Sequence, residues 1–226
     1  MIPILVDPSW LEGFPGARLG LLEARGLAPG ADSTALDEAR IKLEGELKAR
    51  YGSLDRKALR ELPVLQAFDA HFRCHGKTYH VLQQLESVAG KGRSIPSRIC
   101  AVTALFMAEL RHGLVAAGHD LERLEAPLTL SRSAGGETYT NLSGKPCILP
   151  AGDMVLKDAN RILSSVLLGP EQASPIEPRT RAALFTIYAP TGVPLEALEA
   201  QLQDLGRFLR CFSPDVTLQQ VIVPAG

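Results

Sequence analysis

The sequence has almost no excess of charge of either sign. Its 226 residues carry 24 lysines and arginines against 25 aspartates and glutamates, which gives a net charge of −1. A protein that coats nucleic acid neutralises many phosphates and needs a basic excess. The charge balance therefore excludes that class, and a hydrophobic content of 46% excludes a mainly disordered chain.

Long hydrophobic runs and targeting segments are lacking as well. No stretch approaches the roughly 18 apolar residues that a membrane-spanning helix needs. The first residues contain a short apolar run without the preceding basic region of a secretory signal peptide. We therefore expect a cytoplasmic protein with no membrane partner.

Metal and cofactor motifs are scarce. The four cysteines, at positions 74, 100, 147 and 211, do not have metal or redox spacing, and the common nucleotide, dinucleotide, esterase and zinc-protease signatures do not occur. His71, His75 and His80 lie close in sequence, but no acidic or cysteine partner has the usual ligand spacing. We predict no metal site and no cofactor.

Hydrophobic periodicity indicates the secondary structure. Apolar residues at helical spacing predict helices over 34–51, 55–75 and 78–88, after short strands near 4–6 and 18–24. The most apolar helix is predicted from Ile95 to about Ala117, with Pro96 in its first turn. Because this helix is apolar on more than one side, we expect it to be central and buried.

The second half of the chain has a different pattern. Short strand-like segments separated by turns fill 126–190, and a leucine-rich helix after Pro194 and a strand at 216–223 complete the chain. Helices first and hairpin-linked strands later favour an α+β fold over alternating β-α-β units.

A series of residues in the central helix and the β-rich block resembles a known family. The matching segments are 103–110, 118–120, 128–134, 152–158 and 188–190. Their order and spacing resemble the B3/B4 domain of the bacterial phenylalanyl-tRNA synthetase β subunit, and more closely the stand-alone B3/B4-domain proteins. The resemblance is best over about 60–190. It implies mixed β-sheets packed around a central buried helix, and we expect one B3/B4-like domain over 1–226.

In the synthetase this domain holds the editing site, which hydrolyses tyrosine wrongly attached to phenylalanine tRNA. The resemblance thus implies binding of tRNA or aminoacyl-tRNA, with hydrolytic editing of mischarged tRNA as the implied reaction. The editing pocket would lie between the Thr103 helix and the later strands. The chain is too short to hold the aminoacylation machinery, so we do not expect it to charge tRNA.

Three positions depart from the family pattern. Ala104 occupies the position of an asparagine in the family, and a residue near Ala116 occupies the position of a histidine. Leu184 or Phe185 occupies the position of the editing glutamate. A site without a placed carboxylate or imidazole does not orient a hydrolytic water. The sequence therefore leaves open whether the chain is an enzyme; if it is, the resemblance implies an aminoacyl-tRNA ester hydrolase.

Six residues are candidates for the site. Glu137 is the candidate catalytic carboxylate in a predicted hairpin, and Thr103 is a candidate pocket hydroxyl. The remaining substrate-binding candidates are charged side chains in the region of resemblance: Arg98, Arg132, Asp158 and Glu171. Arg132 is suited to hold a carboxylate or a phosphate.

Two further hypotheses stay open beside tRNA binding. The cleft could bind a small aromatic or amino-acid-like ligand, or the chain could be a partner-binding module without catalysis. Convergence of the charged candidates on a cleft with Thr103 would favour a ligand site, whereas charged side chains that point separately to solvent would favour the partner-binding module. A contiguous basic surface would favour RNA, and its candidate members are Lys91, Arg93, Arg98, Arg111 and Arg132.

Overall fold

The structure is a computed structural model that describes residues 1–224. Its first half is mainly helical: β1 (Ile4–Val6), α1 (Pro8–Gly13), β2 (Arg18–Arg25), α2 (Thr34–Tyr51), α3 (Arg56–Arg60), α4 (Pro63–Cys74), α5 (His80–Leu85) and α6 (Cys100–His112). Its second half is rich in strands: β3 (Ala116–Asp120), β4 (Leu128–Arg132), β5 (Thr138–Thr140), β6 (Pro146–Ile148), β7 (Met154–Lys157), β8 (Ile162–Ser165), β9 (Gly169–Pro170), β10 (Ala182–Ala189), α7 (Leu195–Phe212) and β11 (Thr217–Pro224).

Two sheets and a short ribbon contain the strands. The first sheet has the order β1-β4-β7-β8-β9 and is mixed, because β1 runs parallel to β4 while the other neighbours are antiparallel. The second sheet is antiparallel, with the order β11-β2-β10-β3, and β5 pairs with β6 in the ribbon. The α+β fold with mixed sheets around a central helix is confirmed.

Strand β10 lies in the middle of the antiparallel sheet, and all eight of its residues are buried. Helix α7 packs across one face of this sheet. Gly20 of β2 permits the close approach, because a Cβ there would lie 2.8 Å from a methyl carbon of Leu198. The amphipathic pattern predicted for α7 is thus satisfied by the sheet beneath it.

Helix α6 is the central helix, and eight of its thirteen residues are buried. It is shorter than the predicted 95–117. It begins at Cys100, so Pro96 precedes the helix, and it ends where Gly113 takes a left-handed conformation, with φ 81°, and donates to the Glu109 carbonyl oxygen. Glycine adopts this conformation without steric cost and so ends the helix. The chain then enters β3, which the sequence analysis missed.

The segment after β1 also differs from expectation. The periodicity predicts no helix there, yet Pro8–Gly13 form helix α1, where the Asp7 side chain accepts a hydrogen bond from the Ser9 N–H at 2.9 Å. The fully buried Trp10 anchors this helix in the core. Across residues 1–224, no helix has the length and apolar character that crossing a membrane requires.

Candidate functional site

A cavity of about 200 Å³ lies between α5, α6, β3 and the segment after β9. One face of α6 supplies Val102, Leu105, Phe106 and Glu109, whose spacing of three and four residues aligns them along the helix. The other walls are mostly apolar and come from residues distant in sequence: Ala116, Ala117, Gly118, Leu142, Pro170, Pro175 and Ile176. A small, largely apolar cavity with few polar groups is the usual form of a ligand site.

Three polar side chains line the cavity: His80 and Gln84 from α5, and Glu109 from α6. One carboxylate oxygen of Glu109, Oε2, accepts a hydrogen bond from the Ala116 N–H at 2.8 Å. The other oxygen, Oε1, is buried and has no partner among the described residues, and the same holds for Oε1 of Gln84. Buried oxygens without partners are uncommon in folded proteins, so these two oxygens are free to hydrogen-bond a ligand.

The electrostatics of the cavity depend on burial. Glu109 is only 2% exposed, and loss of hydration raises the pKa of its carboxyl to about 8, although the Ala116 N–H lowers it in part. Burial also lowers the pKa of His80, which favours the neutral imidazole. A carboxyl with this pKa can give or take a proton near neutral pH.

Two buried side chains form hydrogen bonds to the α6–β3 turn, which positions Glu109 opposite Ala116. The amide of Gln201 on α7 accepts from the Leu114 N–H at 3.2 Å and donates to the Leu114 carbonyl oxygen at 2.8 Å. The hydroxyl of Tyr79 donates to the Gly113 carbonyl oxygen at 2.7 Å. These bonds satisfy a buried turn that would otherwise carry unpaired backbone groups.

Gly118 determines the shape of the cavity wall. A Cβ at this position would lie 2.7 Å from the Cδ1 atom of Ile176. The missing side chain therefore lets Ile176 close against β3 and form one side of the cavity.

Of Thr103 and the three departures from the family pattern, only Ala116 lines this cavity. The Thr103 hydroxyl is buried and donates to the carbonyl oxygens of Pro96 and Ile99, both at 3.1 Å. Ala104 is fully buried in the core, as are Leu184 and Phe185 of β10. Ala116 lines the cavity and supplies the N–H that holds Glu109.

Asp158 and Glu171 share a different, more open groove of about 570 Å³, which Lys157 and Arg161 also line. Asp158 accepts hydrogen bonds from the N–H groups of Asn160 and Arg161 at 2.9 and 2.8 Å. Glu171 accepts from the Ser174 N–H at 2.7 Å and lies 3.9 Å from the Arg161 side chain. Both carboxylates thus stabilise the turns on which they lie.

Glu137 and Arg132 lie near each other but outside both cavities. The Glu137 carboxylate accepts from the Ser133 hydroxyl at 2.6 Å and from the Gly135 N–H at 2.9 Å, which closes the loop after β4. These bonds lower the pKa of Glu137 against the effect of burial. The Arg132 side chain lies over Gly13 and Gly152.

Arg98 lies at the start of α6, where it lines a third cavity together with Ile176. The six candidate residues therefore do not meet at one cleft; only Asp158 and Glu171 share a groove. Among the proposed phosphate contacts, Arg111 is paired with Glu46 at 3.1 Å and Asp204 at 3.3 Å.

No motif in the sequence gives Glu109, Gln84 or His80 a binding role. Glu109 belongs only to the segments that resemble the family, and His80 only to a histidine cluster. A single acidic residue in an otherwise apolar helix was the available signal, because such a residue needs buried partners. Within residues 1–224 no group of three or more His, Cys, Asp or Glu side chains is arranged to hold a metal ion.

The fold is similar to that of a solved synthetase fragment. It matches an N-terminal fragment of the phenylalanyl-tRNA synthetase β-subunit from Pyrococcus horikoshii with a TM-score of 0.50 and 11% sequence identity. The match covers 98% of this chain and 54% of that chain, so this chain spans about half its length. No family model and no curated protein matches the sequence. At this identity the likeness shows the fold alone.

Proposed function

We propose that residues 1–226 form a B3/B4-like domain that binds the aminoacylated end of a tRNA, with the amino acid in the α5–α6 cavity. The observation that carries the proposal is the unpaired Oε1 of Glu109 in an apolar cavity. An aminoacyl group brings an ammonium donor for this oxygen and for Gln84. Its side chain would contact the apolar walls, which include Phe106 and Ile176.

A basic segment supports contact with the tRNA backbone. Lys91, Arg93 and Arg98 are exposed, and they form no ion pair within residues 1–224. No acidic residue occurs between Glu86 and Glu109. These cations, which have no ion-pair partner among residues 1–224, can contact phosphates.

The basic segment adjoins the cavity. Ile176 lines both the α5–α6 cavity and the opening at the start of α6 that contains Arg98. A single strand that contacts Arg98 could therefore place its terminal ribose at the mouth of the cavity. The fold of the synthetase fragment supports a tRNA ligand as an analogy.

Ester hydrolysis is the reaction implied by the family resemblance. In our proposal the ammonium of the bound aminoacyl group favours the ionised form of Glu109, which takes a proton from water as the water oxygen attacks the ester carbonyl carbon. The ester bond to the ribose oxygen then breaks, that oxygen takes the proton, and the free amino acid leaves. Glu109 is assigned this role ahead of Glu137 because it lines the cavity and its pKa of about 8 suits proton exchange near neutral pH.

The experiment is a binding titration with phenylalanyl-tRNA(Phe) and mischarged tyrosyl-tRNA(Phe) across a salt series, in which release of amino acid is followed in the same samples. The basic-segment variant replaces Lys91, Arg93 and Arg98 by glutamine. Each phosphate contact on a single strand contributes about 0.7 to the slope of log K against log salt, so we expect this variant to reduce the slope by up to about 2.

A matched control replaces three exposed lysines on the helical side: Lys42, Lys48 and Lys57, which also form no ion pair within the described part of the chain. This control should bind as the wild type does. Glu109→Gln should bind tRNA and lose any hydrolysis. Absence of binding at low salt, or an equal loss of binding in the basic-segment variant and in the control, would refute the tRNA proposal.

The small size of the cavity favours a second candidate, a free amino-acid-like ligand. Calorimetric titration with free phenylalanine and tyrosine tests it. Binding of a free amino acid that Glu109→Gln weakens, together with no tRNA binding, would support this second candidate over the first.

A further inference from the structure

Strand β11 has an unprotected outer edge. It lies at the end of the antiparallel sheet and pairs with β2 from Thr217 opposite Arg25 to Pro224 opposite Arg18, without a bulge. No other strand within residues 1–224 pairs with it. Its free N–H and C=O groups form a template for a further strand.

The usual devices against edge pairing are missing from β11. Its eight residues include no charged side chain, and its single proline is the last residue of the strand. Val221, in its second half, is 36% exposed. The N-terminal ammonium donates to the Gln219 side chain at 2.8 Å, but this contact lies on the face opposite α7 and leaves the main-chain edge open.

Helix α7 carries a charged stripe beside this edge. The spacing of three and four residues places the exposed side chains of the helix on one face. From the N-terminal end the exposed polar side chains are Glu196, Glu199, Gln203, Arg207 and Arg210. The stripe is thus acidic in its first half, neutral at Gln203 and basic in its second half.

The middle of the charged stripe on α7 lies beside the middle of strand β11. Gln203, Arg207 and Arg210 line a groove together with Leu218 and Gln220 of β11. A two-fold axis through Gln220 would pair two β11 strands antiparallel. Opposite residues in such a pair point to the same face, so Leu218 of each copy would lie opposite Ile222 of the second copy.

The same axis makes the stripe complementary to itself. Gln203 lies at its middle, so Glu199 of each copy faces Arg207 of the second copy, and Glu196 faces Arg210. Adjacent strands are about 4.8 Å apart, so the two β2 strands would lie about 14 Å apart. At this separation only long side chains of the two α7 helices can reach each other. Arg207 is already bonded to Asp204 at 3.0 Å, but its side chain remains 67% exposed.

We propose that two copies of this chain form a closed dimer through antiparallel pairing of their β11 strands. The two antiparallel sheets become one eight-stranded sheet, and the α7 stripes fix its register. Main-chain hydrogen bonds and apolar cross-strand pairs provide the attraction, while the charges select the antiparallel partner. The ligand cavity lies at β3, the opposite edge of the sheet, so this inference stands apart from the proposed function.

Sedimentation equilibrium across a concentration series tests the dimer. We expect a mass of twice 24.3 kDa for the wild type at high concentration. Val221→Lys places a charge in the strand pair and should give a monomer. Either Glu199→Arg or Arg207→Glu creates two like-charge contacts and should weaken association roughly tenfold.

The double variant E199R/R207E exchanges the two charges and should restore wild-type association. Glu38→Arg, at an exposed position of α2, is the matched control and should dimerise normally. Circular dichroism establishes that each variant folds. A wild-type monomer at every concentration, a dimer unaffected by Val221→Lys, single variants without rescue, or masses that grow without limit would each overturn the proposal.

Discussion

The buried carboxyl of Glu109 makes stability depend on pH, and replacement by glutamine should remove that dependence. Burial raises its pKa from 4.5 to about 8 in the folded protein. Below pH 4.5 the carboxyl is protonated in both the folded and the unfolded state and does not change the free energy of unfolding. Between pH 4.5 and 8 it ionises in the unfolded chain but stays protonated in the folded one, so stability falls as pH rises.

The magnitude follows from the two pKa values. Their difference corresponds to about 3 kcal/mol of lost stability at pH 7 and to about 5 kcal/mol above pH 8. Glu109→Gln preserves the size of the side chain and an oxygen for the Ala116 N–H, which bonds Glu109 at 2.8 Å. The variant should therefore be more stable than the wild type at pH 7 by up to about 3 kcal/mol.

Urea unfolding at several pH values between 5 and 8.5 measures the effect. The difference in free energy of unfolding between variant and wild type should grow by up to about 1.4 kcal/mol per pH unit. Glu38→Gln, which changes an exposed carboxylate on α2, should follow the wild type at every pH. Parallel curves for Glu109→Gln and the wild type would refute the assignment of a raised pKa to this carboxyl.

Three further predictions concern residues around the cavity. Gln201→Leu removes both hydrogen bonds to the Leu114 backbone and should lower the free energy of unfolding by about 2–4 kcal/mol. Urea denaturation measures this effect, and an unchanged midpoint would show that the two bonds do not stabilise the turn. Gly118→Ala crowds Ile176 and should lower the free energy of unfolding by about 1–3 kcal/mol. Adding Ile176→Val removes Cδ1 and should recover part of this loss, whereas equal stability of the single and double variants would argue against the contact with Ile176. Burial lowers the pKa of His119 to about 4, so the unfolded chain binds its proton first and the contribution of His119 to stability should fall as pH drops from about 6.5 to 4, opposite in sign to that of Glu109. The stability of His119→Gln relative to the wild type, measured by thermal unfolding, should therefore rise as pH drops through this range, and a constant difference would exclude the effect.

Hydrophobic periodicity predicted much of the fold because most elements bury one continuous face. The helix at 34–51 and the strand at 4–6 have the bounds that the structure shows, whereas the helical region predicted at 55–75 is divided before Pro63 into α3 and α4. Strand β3 was missed because its sequence, Ala-Ala-Gly-His-Asp, has little β-propensity. Pairing with β10 determines its conformation, and that pairing is a long-range contact.

The candidate site could be predicted only in outline. The sequence indicated that a pocket would lie beside the Thr103 helix, and a cavity does lie on the following turns of α6. Its polar groups come from α5 and α6 and have no common motif. Asp158 and Glu171 stood out as charges in the region of resemblance, yet the structure uses both in short-range turns, which an isolated charge in a sequence does not reveal.

The position of β10 has a consequence for the order of folding. Strand β2 forms near the start of the chain, but both of its neighbours, β10 and β11, come from the last quarter. During synthesis, the apolar residues of β2 therefore remain without their partners until nearly the whole chain is available. Sheets closed by such distant contacts fold slowly, because the entropy of a long loop is lost before the pairing stabilises it. We therefore expect the antiparallel sheet to form late, after the helices of the first half.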